Sequence, residues 1–196
     1  MYEGPITDAV SLYTADHILS QPSPQFGTSV CGAELLEDGH LTLAISTRGD
    51  GGGSSRIQLF SGSDDYRSSS AHVVGQDGHQ IGTKLACDDV DGDGKSDALV
   101  GAPSHNTTGS YSGAVALFFG GGSGTLDTPD ATVLGTDAHQ SAGEVVGYTG
   151  DGSAEWPSGL AVGSHGRDVD AGSDTGGGDG SVYLVENVFP FIVLTP

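Results

Sequence analysis

The sequence predicts an all-β fold built from repeated four-stranded units, a partial β-propeller, and three observations carry that prediction. Glycine is very frequent, at 34 of 196 residues, and runs that favour helix are nearly absent. Short apolar segments are separated by Gly, Ser and Asp, the pattern of strands joined by turns. The chain also repeats itself. Sliding it by 55 positions aligns Phe26–Thr47 with Ile81–Ala102 without a gap, and a third copy begins at Ala142-Gly143. A unit of this size is one twisted sheet that cannot bury both faces alone, so neighbouring units must stack around an axis.

Taken in order, Asp8-Ala9-Val10-Ser11-Leu12-Tyr13 reads as an apolar strand, and residues 1–20 are assigned to the last strands of a preceding blade. The first whole blade spans 26–75, with Leu43-Ala44-Ile45-Ser46 and Ile57-Gln58-Leu59-Phe60 as strands. The second spans 81–135, with Ala98-Leu99-Val100-Gly101 and Ala114-Val115-Ala116-Leu117-Phe118. The third spans 142–196, with Gly159-Leu160-Ala161-Val162-Gly163 and Ser181-Val182-Tyr183-Leu184-Val185. The tail Glu186–Pro196 fits the repeat only as an outer strand. The total is about three and a half blades, whereas single-chain propellers typically have four to eight. The reading therefore expects a partner that completes the ring: the remainder of a larger propeller, or another copy.

The second blade contains Asp89-Val90-Asp91-Gly92-Asp93-Gly94-Lys95-Ser96-Asp97. Carboxylates at relative positions 1, 3, 5 and 9 surround two glycines. Ca²⁺ takes six to eight hard oxygen ligands, and closely spaced carboxylates with a backbone carbonyl supply them. The predicted metal ligands are the side chains of Asp89, Asp91, Asp93 and Asp97 and the backbone carbonyl of Lys95. The loop is not an EF-hand, which needs a bidentate acid at position 12, where Val100 stands. It runs instead into the apolar stretch Ala98–Gly101, so a strand–loop–strand calcium hairpin is expected. The aligned positions of the first copy are Glu34, Leu36, Asp38 and Thr42, too few acids for a tight site. The third keeps Asp151 but inserts Glu155-Trp156-Pro157 where the last ligand should stand.

Phe26-Gly27, Gly101-Ala102-Pro103 and the acidic loop of the second repeat together resemble FG-GAP repeats. These are the blades of the integrin α-chain β-propeller and its prokaryotic relatives. The resemblance covers about residues 8–186; the third copy departs from it, with Ala142-Gly143 for Phe-Gly and Gly163-Ser164 for Gly-Ala-Pro. It implies that the loop joins the first two strands of a blade and that its calcium is structural. It further implies cell adhesion or recognition of a protein or glycan ligand on a propeller face, and an extracellular or cell-surface location. The alternative reading is the propeller part of an enzyme acting on polysaccharides, which paired acids in a central pocket would support.

Acids outnumber bases 26 to 6, for a formal charge of −20. Such a surface repels nucleic acid and anionic membranes and suits cation binding. High acid with only two lysines, Lys84 and Lys95, also fits a halophilic protein. Met1–Pro5 does not open a signal peptide, which suggests an intracellular protein; the FG-GAP resemblance implies instead an exported one whose leader is lost with the missing blades, and that reading is preferred. No apolar run approaches the length of a membrane helix.

Other features are read more plainly. His79 and His139 recur at one repeat position, and His105 and His165 at another, which favours turn or packing roles over catalysis. No nucleophile-elbow sequence is present. The acidic loop Arg167–Gly180 reads as solvated rather than as a second cation site. Gly49–Gly53 is not a phosphate loop, because no Gly-Lys-Ser/Thr follows. Trp156 is either a packing anchor or a ligand contact. Asn106-Thr107-Thr108 has the form of a glycosylation sequon. Cys31 and Cys87 sit at positions one residue apart in the repeat alignment. Since neighbouring strand residues face opposite sides, two small buried thiols are expected rather than a disulfide.

Overall fold

The structure, a computed structural model, describes residues 18–23, 25–36, 38–49, 55–74, 80–91, 93–120, 128–149, 159–166 and 180–186. They form eleven strands in three antiparallel sheets. The first sheet is β1 (Phe26–Ala33), β2 (Thr42–Thr47), β3 (Arg56–Ser61) and β4 (Ser69–Val74), in sequence order. The second repeats it with β5 (Lys84–Asp88), β6 (Asp97–Ala102), β7 (Ala114–Phe118) and β8 (Ala131–Leu134). The third has β9 (Val145–Thr149), β10 (Gly159–Ser164) and β11 (Ser181–Glu186) among the described residues. Among the described residues this is the predicted partial β-propeller, three stacked sheets without ring closure. The preceding half-blade, assigned to residues 1–20, lies mostly outside the described residues, as does the tail 187–196.

Strand periodicity explains the stacking. Alternate residues of a strand face opposite sides. In the second sheet, Leu85, Cys87, Ala98, Val100, Ala116 and Phe118 share one face and meet Leu35, Leu36, Ala44, Ile57 and Leu59 of the first repeat. The opposite face carries Leu99, Val115 and Leu117, which meet Leu160, Val162, Val146, Tyr148, Tyr183 and Val185 of the third. Every residue of β6 and β7 is consequently buried. A sheet covered on both sides reads as a continuous apolar run instead of an alternating one.

The turn that opens each copy adopts one geometry. Gly27, Gly82 and Gly143 have φ of 83°, 80° and 90°, a left-handed conformation that favours glycine. Gly82 N–H donates to the Gly101 carbonyl at 2.9 Å, and Gly143 N–H donates to the Gly163 carbonyl at 3.1 Å. These turns also seat each blade on the one before. A methyl at Gly101 would overlap the Gly143 carbonyl oxygen of the next repeat.

Stacking corrects the cysteine expectation. Cys31 and Cys87 form a disulfide, with Cα atoms 5.7 Å apart and a sequence separation of 56. Equivalent positions in two stacked blades face the same way round the axis. Positions offset by one residue face each other across the blade–blade interface. The one-residue offset, which argues against pairing within one surface, therefore permits it between two.

Candidate metal centre

The loop between β5 and β6 is anchored at both ends. Val90 is only 2% exposed and packs among Leu99, Val115 and Leu117. Asp97, the first residue of β6, is 1% exposed. Its two carboxylate oxygens accept hydrogen bonds from Val90 N–H and Gly120 N–H, both at 2.8 Å. Asp97 thus ties the loop to the connection that follows β7. Glycine is required at that connection, because a methyl at Gly120 would overlap the Ser96 carbonyl oxygen.

Between these anchors, carboxylates accept hydrogen bonds from nearby backbone N–H groups. Asp91 accepts from Asp93 N–H at 3.0 Å, and Asp93 accepts from Lys95 N–H at 2.8 Å. Asp89 accepts from Gly94 N–H at 2.9 Å, and Gly94 takes φ of 85°. Short acidic side chains that bond the backbone one or two residues on curl a loop tightly.

The result is a convergence of charge. Carboxylate oxygens of Asp89, Asp91 and Asp97 lie within 4.8 Å of one another. Asp91 is exposed, Asp89 half-buried and Asp97 buried. Among the described residues, this is the one group of three metal-ligating side chains from His, Cys, Asp and Glu. Burial pushes the Asp97 carboxyl up to about 6, and the negative charge of Asp91 adds to that, against the opposing hydrogen bonds from Gly120 and Val90. Burial likewise raises Asp91, and the neighbouring charges of Asp93 and Asp89 raise it further. Three hard oxygen donors that repel one another fit a hard divalent cation, which would supply the missing positive charge.

The predicted ligands fall into two groups. Asp89, Asp91 and Asp97 come together. Asp93 lies exposed on the same loop, with its carboxylate on Lys95 N–H. In the first copy, Asp38 accepts from the Ser61 hydroxyl and from His40 N–H, while Leu36 packs into the core. Asp151, Glu155, Trp156, the loop 167–179 and His79 lie outside the described residues. His139 stacks on Tyr111 with ring centroids 5.9 Å apart, and His165 lies 3.9 Å from Glu144. Asn106 is exposed, and its side-chain oxygen accepts from Tyr111 N–H at 2.7 Å.

Tyr148 is the residue that sequence reading missed. It projects from β9 into the interface with the second sheet, and its buried hydroxyl has no hydrogen-bond partner. Burial, then the negative charges of Asp97 and Asp88, push its acidity down and keep it protonated. A tyrosine from the next repeat carries no sequence signal of closeness to this loop; only stacking of the blades brings it there.

Against known families, the FG-GAP repeat model matches residues 82–118, from the opening turn through the acidic loop to the end of β7. A search of curated proteins finds no match.

Proposed function

We propose that this FG-GAP repeat protein is a calcium-binding β-propeller module that recognises a protein or glycan ligand on a propeller face. Calcium is structural in this reading. Bound among Asp89, Asp91 and Asp97, it neutralises carboxylates that otherwise repel one another and stiffens the β5–β6 hairpin. The observation that carries the reading is the convergence of those three carboxylates within 4.8 Å, one of them fully buried.

Export supports the same picture. A disulfide joins Cys31 and Cys87, and disulfides persist in oxidising compartments. Among the described residues, no helix is long and apolar enough to cross a membrane. The acidic balance of 26 to 6 suits a salt-rich exterior, and we assign the protein to the cell surface or the medium of a halophile. Adhesion follows from the repeat class by analogy with integrin-like propellers.

Isothermal titration with CaCl₂ at pH 7 tests the metal. A single site with Kd of about 10⁻⁴–10⁻³ M is expected, the range of extracellular modules. Asp91→Asn should weaken it at least about tenfold, because one charged ligand is lost. Absence of heat, or equal binding by the variant, would sink the assignment.

A further inference from the structure

Tyr148 and the acidic loop belong to different repeats, and the stacking of the sheets joins them. Tyr148 stands 61 residues after Cys87, the spacing that separates the third copy from the second. Both side chains face back toward the preceding sheet. Cys87 crosses to the first repeat as its disulfide with Cys31. Tyr148 packs against the cluster that holds Val90, Leu99, Val115 and Leu117 of the second. Val90 is the buried anchor of the acidic loop, and its N–H donates to Asp97. Tyr148 is the last residue but one of β9, as Cys87 is of β5, so it lies at the end of the stack from which that loop departs. Its hydroxyl is buried there without a hydrogen-bond partner. Burial, and after it the negative charges of Asp97 and Asp88, keep that hydroxyl protonated. Asp97 and Asp88 are cross-strand partners at the loop end of the second sheet, so both charges reach Tyr148 from one place. A buried polar atom left unpaired is rare and costly. A tyrosine that serves packing alone usually sets its hydroxyl on a partner or in solvent; that of Tyr148 has neither.

We infer that Tyr148 is a positioning residue of the candidate metal centre: its hydroxyl oxygen accepts a hydrogen bond from a water ligand of the cation, so that filling the loop of the second blade also fastens the third sheet to the second. The inference rests on the calcium reading above. Three carboxylates do not fill the six to eight oxygen places of Ca²⁺, and water is among the ligands that take the rest. A water held by a cation turns its hydrogens outward, and a neutral phenol can accept one of them. Outer partners of this kind orient the ligands and tune the affinity of a metal site.

The test is calcium titration of the full chain and of Tyr148→Phe, with urea unfolding of both in chelator and in saturating Ca²⁺. The variant should bind at least about tenfold more weakly, the effect of losing an outer partner. In chelator it should be as stable as the wild type or more so, because no hydrogen bond is lost and an unpaired hydroxyl is removed. A purely structural role would shift stability by the same amount with and without the cation. Calcium should also slow amide hydrogen exchange in Val145–Thr149 of the wild type, and slow it less in the variant. Equal affinity of the two proteins would overturn the inference and leave the metal site standing. So would a variant less stable than the wild type in chelator. If neither protein binds calcium, this inference and the calcium reading fall together.

Discussion

Asp97 links the fold and the candidate site at the scale of one residue. It begins the central strand of the second blade, accepts backbone hydrogen bonds from two separate connections, and offers its carboxylate to the acidic trio. Those duties conflict in the absence of a cation, because burial resists its charge and holds the carboxyl up to about 6. An acid that keeps its proton longer folded than unfolded favours the fold below its unfolded pKa, near 4, and loses that advantage as pH rises through the folded value. The metal-free chain should therefore lose on the order of 2–3 kcal/mol between pH 4 and pH 7. Calcium should flatten that slope, and Asp97→Asn should remove it. Urea titrations across the pH range, with chelator or with Ca²⁺, read the effect; a metal-free stability that rises steadily over that range would contradict it.

The spacing of Asp89, Asp91 and Asp97 was legible in the sequence because their chemistry is local. Asp93 was read from the same local spacing, and it lies on the same loop with its carboxylate on Lys95 N–H. Regular spacing puts four acids on one loop, but only the folded backbone decides which of their carboxylates converge. Tyr148 was not legible at all, since its relation to Asp97 depends on how the third sheet packs on the second.

At the scale of the element, one strand period accounts for both a success and a miss. Alternation and repeat spacing locate the central strands Leu43–Ser46, Ala98–Gly101 and Gly159–Gly163 without a structure. The same alternation, applied to a single surface, sends Cys31 and Cys87 apart. Applied to two stacked surfaces, it sends them together. Their disulfide staples the first blade to the second across 56 residues of chain, and a closed loop of that length stabilises by about 4 kcal/mol in the chain-entropy account. Cys87→Ser should cost about 2–5 kcal/mol in denaturant unfolding and leave Cys31 reactive to thiol reagents. Wild-type stability in that variant, or two thiols already reactive in the native wild type, would contradict the pairing.

For the whole molecule, charge sets the behaviour. A net charge of −20 on 196 residues repels the compact state, and salt screens that repulsion. The melting temperature should climb between 0.05 and 2 M KCl, where the Debye length falls from over 10 Å to below 3 Å. Equal stability at both would remove the case for a halophilic protein. The architecture itself was readable from repeat length and strand patterning, down to the three stacked sheets of the described residues. What the repeats could not reveal is the asymmetry of the two ends, with the outer face of the first sheet largely buried at Ile45 and Phe60 and that of the third sheet bare at Val182 and Leu184. That difference arises from tertiary cover, not from any residue pattern within a blade.

The measurement that bears most directly on the account is thermal unfolding of the chain at pH 7 with 10 mM Ca²⁺ or with chelator, alongside Asp91→Asn. A site with Kd of about 10⁻⁴ M contributes about 2.7 kcal/mol at that concentration, which raises the melting temperature of a domain this size by roughly 5–10 °C. The wild type should show that rise and the variant should lose it. A cooperative transition at the same temperature with and without calcium would contradict it.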